Sequence, residues 1–334
     1  KNGIVDSSYM VKNHGNYVRT GSYSVNEVLE SIKMPEKAKK ILNAYWCYLG
    51  AHCDDLSFSH YASMVVRYIT RGAMMPKGRS HEISLALCER IRELGGEIWF
   101  NTKAEKILTG ADGGVEGVVL KGGRKITTRH VIANCAPHLV YGGMLDKVPE
   151  KAVRATNARK FAGRGFCMFL GLNKSADELG IENHNYFLYD TMDTAAQYEL
   201  MKKIDSNRVQ ATVCLNRAYP ECSPAGTTMM YFTTLYMSDA WGEASPRDYA
   251  ATKEKVAKIM IGRIEADQGS KIRESIEEIC VATPMAYARY CGHPQGDIYG
   301  YESQYWDGRN PRLQMMAQDH ITRGLRFAGG FSMR

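Results

Sequence analysis

His52, Cys53, Asp54, Asp55 and His60 form the densest group of metal-ligating residue types in the chain. Their spacing matches no standard zinc pattern. A helix–helix junction rich in polar caps accounts for them equally well, so no metal is expected. Cys135 beside Asn134 has the chemistry of a nucleophile, but no base is identifiable for it, and it reads as a packed thiol. His138, His184 and His293 stand alone and read as structural groups. There is no G-x-S-x-G and no Walker A sequence. Gly163-Arg164-Gly165 lacks the third glycine of a dinucleotide fingerprint and enters a strand rather than a helix. No acid–base pair stands out, so no catalytic residue is assigned.

The elements that would position such groups follow from periodicity and punctuation. Helical spacing covers 24–33, 35–49 and 57–71. The clearest helix is 80–94, where Ile83, Leu87, Ile91 and Leu94 fall on one stripe, Ser80 is an N-cap candidate and Gly95-Gly96 a left-handed stop. Short strands are expected at 97–100, 104–108, 115–120, 124–128 and 130–134, separated by Asp112-Gly113-Gly114 and Lys121-Gly122-Gly123 turns. Further strands are expected at 165–172, 185–189, 209–215 and 227–237, with helices at 193–203 and 246–266. From 281 the sequence reads irregular and rich in tyrosine.

Composition narrows the class. The chain has 334 residues, enough for about two domains, and is 44% hydrophobic and 24% charged. The net charge of +7 is dispersed in short mixed groups, which reads as solvated faces, and no nucleic-acid signature accompanies it. The longest clear apolar run, 166–172, is far short of the ~20 residues of a membrane span. Nine cysteines, an odd number at irregular spacing, suit reduced thiols in a cytoplasmic protein rather than a disulfide framework. Seventeen methionines and twenty tyrosines fit either a large apolar cavity or an aromatic-rich core.

Two stretches carry more. "MPKGRSHEISLALCERIRELGGEIWFNTKAEKIL", followed by "GVEGVVLKGGRKITTRHVIANCAP", resembles the phytoene desaturase and carotenoid isomerase-like branch of the FAD-dependent amine-oxidase superfamily. The order matches over 74–145: a Pro-x-Gly-Gly-led helix, a Gly-Gly-x-Ile strand, an n-x-x-V-x-x-I strand, a V-x-G-V hairpin and a VI-x-N-x-x-P strand. Arg79, Ala104 and Cys135-Ala136 depart from the usual residues. The similarity resumes weakly at 282–302 and at "GLRFAGGF", 324–331.

The resemblance implies an α+β or α/β chain. Part of a Rossmann-like, glutathione-reductase-type FAD domain (74–145 and 284–334) would accompany a mixed-sheet and helical substrate domain (1–73, helical, and 146–283). It implies FAD as cofactor, with Ala104 offering its backbone to the adenine. Lys77, Gly78 and Arg79 would lie near the flavin ring, and Asn134, Gly329 and Gly330 would be further cofactor contacts. It also implies an internal piece of a longer protein lacking roughly 130 to 180 residues before it and a short tail. Such a piece, without its phosphate-binding turn, is expected not to hold FAD on its own. The implied activity is flavin-mediated hydride transfer on an apolar polyene or isoprenoid-like substrate, with peripheral membrane contact open and oligomeric state undetermined. The alternatives are an amine or amino-acid oxidase of the same superfamily, with an aromatic cage built from the tyrosines of 287–306, or a non-catalytic module that binds apolar ligands or a partner.

Overall fold

Helices come first. The computed structural model describes residues 6–307 and 321–331. It opens with α1 (Ser7–Asn13), α2 (Gly15–Thr20), α3 (Val25–Ser31), α4 (Glu36–Leu42) and α5 (Phe58–Arg71), with a tight 3-10 stretch at Asn43–Tyr48. α3 starts with a reciprocal capping box: the Glu27 amide donates to Ser24 Oγ at 3.2 Å, and the Ser24 amide donates to Glu27 Oε2 at 2.7 Å. α6 (His81–Glu93) follows and ends at Gly95, whose φ of +80° is the left-handed stop that the sequence required. Ser80 precedes α6 but makes no side-chain cap hydrogen bond.

The expected strand at 97–100 does not form. A strand exists only through its ladder, and no neighbour pairs with this segment among the described residues. Trp99 and Phe100 are exposed there, with the Arg124 guanidinium over the Trp99 ring. The next elements are β1 (Ala104–Thr109), β2 (Val115–Leu120) and β3 (Lys125–Thr127), an antiparallel meander in that order. β4 (Val131–Ala133), α7 (Pro137–Leu139) and α8 (Glu150–Asn157) lead into the second half.

That half holds β5 (Arg164–Leu172), β6 (Asn185–Leu188), α9 (Thr194–Leu200), β7 (Gln210–Cys214), β8 (Thr228–Tyr236), α10 (Tyr249–Gln268) and β9 (Ile276–Ala282). The strands form one five-stranded sheet, order β6-β7-β8-β5-β9, with every pair antiparallel. β9 carries Glu277 and Glu278 at an exposed sheet edge, which hides it from a hydrophobicity reading. The stretch expected to be irregular contains α11 (Pro284–Cys291), with proline at its first position and Gly292 as a left-handed stop. β10 (Leu325–Phe327) closes the chain's described part.

Three apolar clusters hold these layers. Phe166, Met168 and Phe232 from β5 and β8 pack with Val256, Met260 and Ile264 of α10. Val25, Trp46, Leu56 and Tyr61 of the helical layer pack with Met201 and Leu235. Each fully buried large side chain of this kind contributes about 1.5–3 kcal/mol. Ile107, Val115, Ala133, Val140, Leu145 and Leu325 join the β1–β3 meander to β4 and β10. β4 and β10 pair parallel, with Leu325 opposite Val131 and Phe327 opposite Ala133. No described helix is long and apolar enough to cross a membrane.

Candidate functional site

Parallel strands need a long crossover, and β4 and β10 are joined by most of the second half of the chain. Their carboxyl ends therefore emerge side by side, the place where open α/β sheets present ligands. Asn134 follows β4 and Gly329-Gly330 follow β10. Gly329 has φ +81°, and a Cβ there would lie 2.5 Å from Asn134 Oδ1. A Cβ on Gly330 would lie 2.5 Å from the Tyr299 carbonyl oxygen. At Gly330 the backbones approach so closely that only glycine fits, and at Gly329 the left-handed φ favours glycine. Asn134 and Gly329 are exposed, so the cleft faces outward.

Ala104 begins β1, an outer strand of the meander, and pairs with Leu120 on its inner side. On the other side of β1 the described contacts include a bridge from Ile107 to Leu145, the Asp146 amide donating to the Ile107 carbonyl at 3.2 Å, and the Thr109 amide donating to the Asp146 carboxylate at 3.1 Å. The Ala104 end thus presents main-chain groups without a strand partner among the described residues. Shared packing of Ile107, Ala133 and Leu325 holds this edge beside β4 and β10.

Lys77 and Gly78 lie in the turn that precedes α6. Gly78 has φ +75° and packs its backbone against the Glu82 side chain, and Lys77 is exposed. Arg79 also has a positive φ, +78°, and its charge falls on Cys222 of the sheet half, whose thiol is nonetheless raised because burial outweighs it.

A cavity of about 730 Å³ opens between α2, α5 and the turn after α5. It is lined by Tyr17, Leu49, His60, Met64, Arg67 and Arg71, with Ser63, Tyr68 and Gly72–Met74 completing the wall. This volume is in the range of small-molecule sites, about 300–1,000 Å³. One face of α5 supplies His60, Met64, Arg67 and Arg71 at helical spacing. Tyr68 stacks on Tyr45 with ring centroids 5.8 Å apart and lies 6.1 Å from Tyr48. Burial, and then the Tyr68 hydroxyl, push the Tyr48 phenol well above its ordinary range.

Segment 299–304 connects the cavity to the strand-end cleft. His60 Nδ1 and Ser303 Oγ are 2.5 Å apart, and the Ser57 amide donates to the Ser303 carbonyl at 3.0 Å. Gly300, at φ +82°, lies backbone-to-backbone against Gly330. Its amide donates to the buried Asp297 carboxylate at 2.7 Å and its carbonyl accepts from the Ala162 amide at 2.8 Å. Tyr301 is buried, stacked on Phe161 at 5.9 Å and edge-on to Phe331 at 5.3 Å. Glu302 accepts from the Tyr198 hydroxyl at 2.6 Å, and burial raises its carboxyl above the usual range.

The cluster His52–His60 divides. His52 lies 3.3 Å from Asp54 and 3.5 Å from Asp55, whereas His60 turns to Ser303. Among the described residues no group of His, Cys, Asp or Glu is placed to hold a metal ion. The tyrosines of 287–306 do not converge: Tyr290 is exposed, Tyr301 is in the core, and Tyr299 packs with the helical layer. Sequence reasoning did not find the cavity. The signal available for it was the periodic stripe His60, Met64, Arg67, Arg71.

No protein-family model matches the chain. It is 24% identical over 304 residues to an all-trans-retinol 13,14-reductase of Danio rerio, covering 85% of this chain and 50% of that protein. It is 23% identical over 231 residues to a chloroplastic prolycopene isomerase of Daucus carota, covering 69% of this chain and 36% of that one. The chain thus spans about half the length of the first relative and less of the second. The structure of wild-type putrescine oxidase bound to putrescine superposes with a TM-score of 0.60 at 12% identity, over 95% of this chain and 65% of that one. The relatives stand in the branch that residues 74–145 resemble, and the oxidase shares the fold. That branch points to FAD as the cofactor.

Proposed function

We propose that this chain, a relative of the phytoene desaturase and carotenoid isomerase-like branch of the FAD-dependent amine-oxidase superfamily, forms the substrate-binding part and a share of the cofactor-binding part of an oxidoreductase acting on an apolar polyene. Residues 1–73 and 146–283 carry the substrate side in this reading, and 74–145 with 284–334 the cofactor side. The observation that carries it is the 299–304 segment, which fastens the wall of the α5 cavity to the glycine cleft at the ends of β4 and β10.

The residues present fit part of FAD. Glycine backbones at 329 and 330, the Asn134 side chain and the open main chain at Ala104 suit the close approach of a flat cofactor, while the sequence holds no G-x-G-x-x-G turn for a pyrophosphate. When bound, FAD would supply hydride acceptance or donation. The chain's own part is to hold the polyene against Leu49, Met64 and the rings of Tyr17 and Tyr68, and to exclude water there.

Two titrations test this. All-trans-retinol, followed by its own fluorescence, should bind saturably and should lose most of its affinity in Met64→Trp, which fills the cavity. Absence of saturable binding would sink the reading. FAD added to this chain alone should bind weakly or not at all. Tight, stoichiometric uptake would overturn the requirement for a separate phosphate turn.

A further inference from the structure

We propose that Arg67 and Arg71 form an anion-binding pair at the mouth of the α5 cavity, and that its ligand is an apolar chain ending in a carboxylate. This rests on the reading of that cavity as the substrate site.

Both guanidinium groups line the cavity from the same face of α5, one helical turn apart. Like charges at that spacing repel and cost helix stability. The negative end of the helix accounts for Arg71, in the last turn, but leaves Arg67 unexplained. Among the described residues neither arginine makes an ion pair and no aspartate or glutamate lines the cavity. Elsewhere on this surface cations do find carboxylates: Lys39 with Glu30 and Glu36, Lys202 with Glu199, Arg263 with Asp190. The cavity pair is left facing open space beside the hydroxyls of Tyr17, Ser63 and Tyr68.

The rest of the wall is apolar. Leu49, Met64 and Met74 and the tyrosine faces suit a hydrocarbon tail, and His60 is engaged with Ser303. Planar guanidinium forks match a carboxylate with paired, charge-assisted hydrogen bonds.

The test compares cis-parinaric acid with its methyl ester, each titrated into the chain and followed by polyene fluorescence. The acid is expected to bind at least about tenfold more tightly than the ester, as charge-assisted contacts would give. Arg67→Gln and Arg71→Gln should each weaken the acid by about tenfold and leave the ester unchanged, and Arg71→Lys should fall between. Lys40→Gln removes the same single charge from an exposed position on α4 and should change neither ligand. Equal affinity for acid and ester in the unaltered chain overturns the anion pair while leaving the cavity as an apolar site. If neither ligand binds, or if Met64→Trp has no effect on either, the cavity reading falls as well.

Discussion

α6 and α10 carry similar promises in sequence and meet different fates. α10 buries Val256, Ala257, Met260, Ile261 and Ile264 against the five-stranded sheet. α6 has the cleaner apolar stripe, yet none of its residues is buried, and Leu87 is 59% exposed and Leu94 69%. The same contrast runs through the strands beside them. β5 is flanked on both sides and almost wholly buried, while among the described residues Glu97–Phe100 finds no partner and β4 has only β10, with Ile132 73% exposed. The lesson is that periodicity specifies the helix and its face, whereas burial is a property of what lies opposite. A stripe like that of α6 is a surface prepared for contact, and it contributes little until contact is made.

The comparison can be broken where the effect should be largest. Phe232→Ala, at a position with no exposure, should cost about 3–5 kcal/mol in denaturant unfolding. A much smaller loss would mean that the sheet core is not the stabilising centre. Next, Gly300→Ala forces a side chain into a left-handed turn pressed on Gly330 and should cost about 1–3 kcal/mol, with the cleft opening as the two loops separate. Smallest is Leu87→Ala on α6, expected within about 0.5 kcal/mol of zero. A loss comparable to that of Phe232→Ala would show α6 to be covered in solution.

Two measurements sharpen the same contrast without creating cavities. Hydrogen exchange should open the α6 amides early and those of β5 and β8 last, since only the latter depend on a shared core. The second concerns Glu302, whose folded-state carboxyl is raised by burial. The folded state therefore keeps its proton to higher pH than the unfolded chain. Stability should fall as pH rises from the ordinary glutamate range through the raised value. Glu302→Gln, which can still accept from Tyr198, should flatten that decline in a series of melting temperatures. An unchanged slope would remove Glu302 as its source.

How much was legible follows the same division. The helices at 25–31, 58–71, 81–93 and 249–268 and the strands of the large sheet were readable because their apolar spacing or runs are local facts. β9 was not, because its charged residues suit an edge and an edge is defined by neighbours. The short helices α1 and α2 offered too few residues for a period. In the candidate site, Asn134, Gly329 and Gly330 were reached through resemblance to a family pattern, and their meeting depends on a parallel pairing that no local window contains. The cavity was hidden for a related reason. Tyr17, Leu49, His60 and Met74 are brought together by three helices and a turn, and Arg67 and Arg71 look in sequence like any solvated basic pair.

The pairing of β4 with β10 also sets an order of assembly. Its partners lie about 190 residues apart along the chain, so closing that loop is entropically the costliest step among the sheets, while the hairpins of the large sheet close over far shorter spans. During synthesis the helical layer and the five-stranded sheet have all their strands available before Leu325 emerges. The cleft at Asn134 must therefore wait until Leu325–Phe327 has been made. Until then, the molecule is a folded scaffold whose cleft has yet to exist.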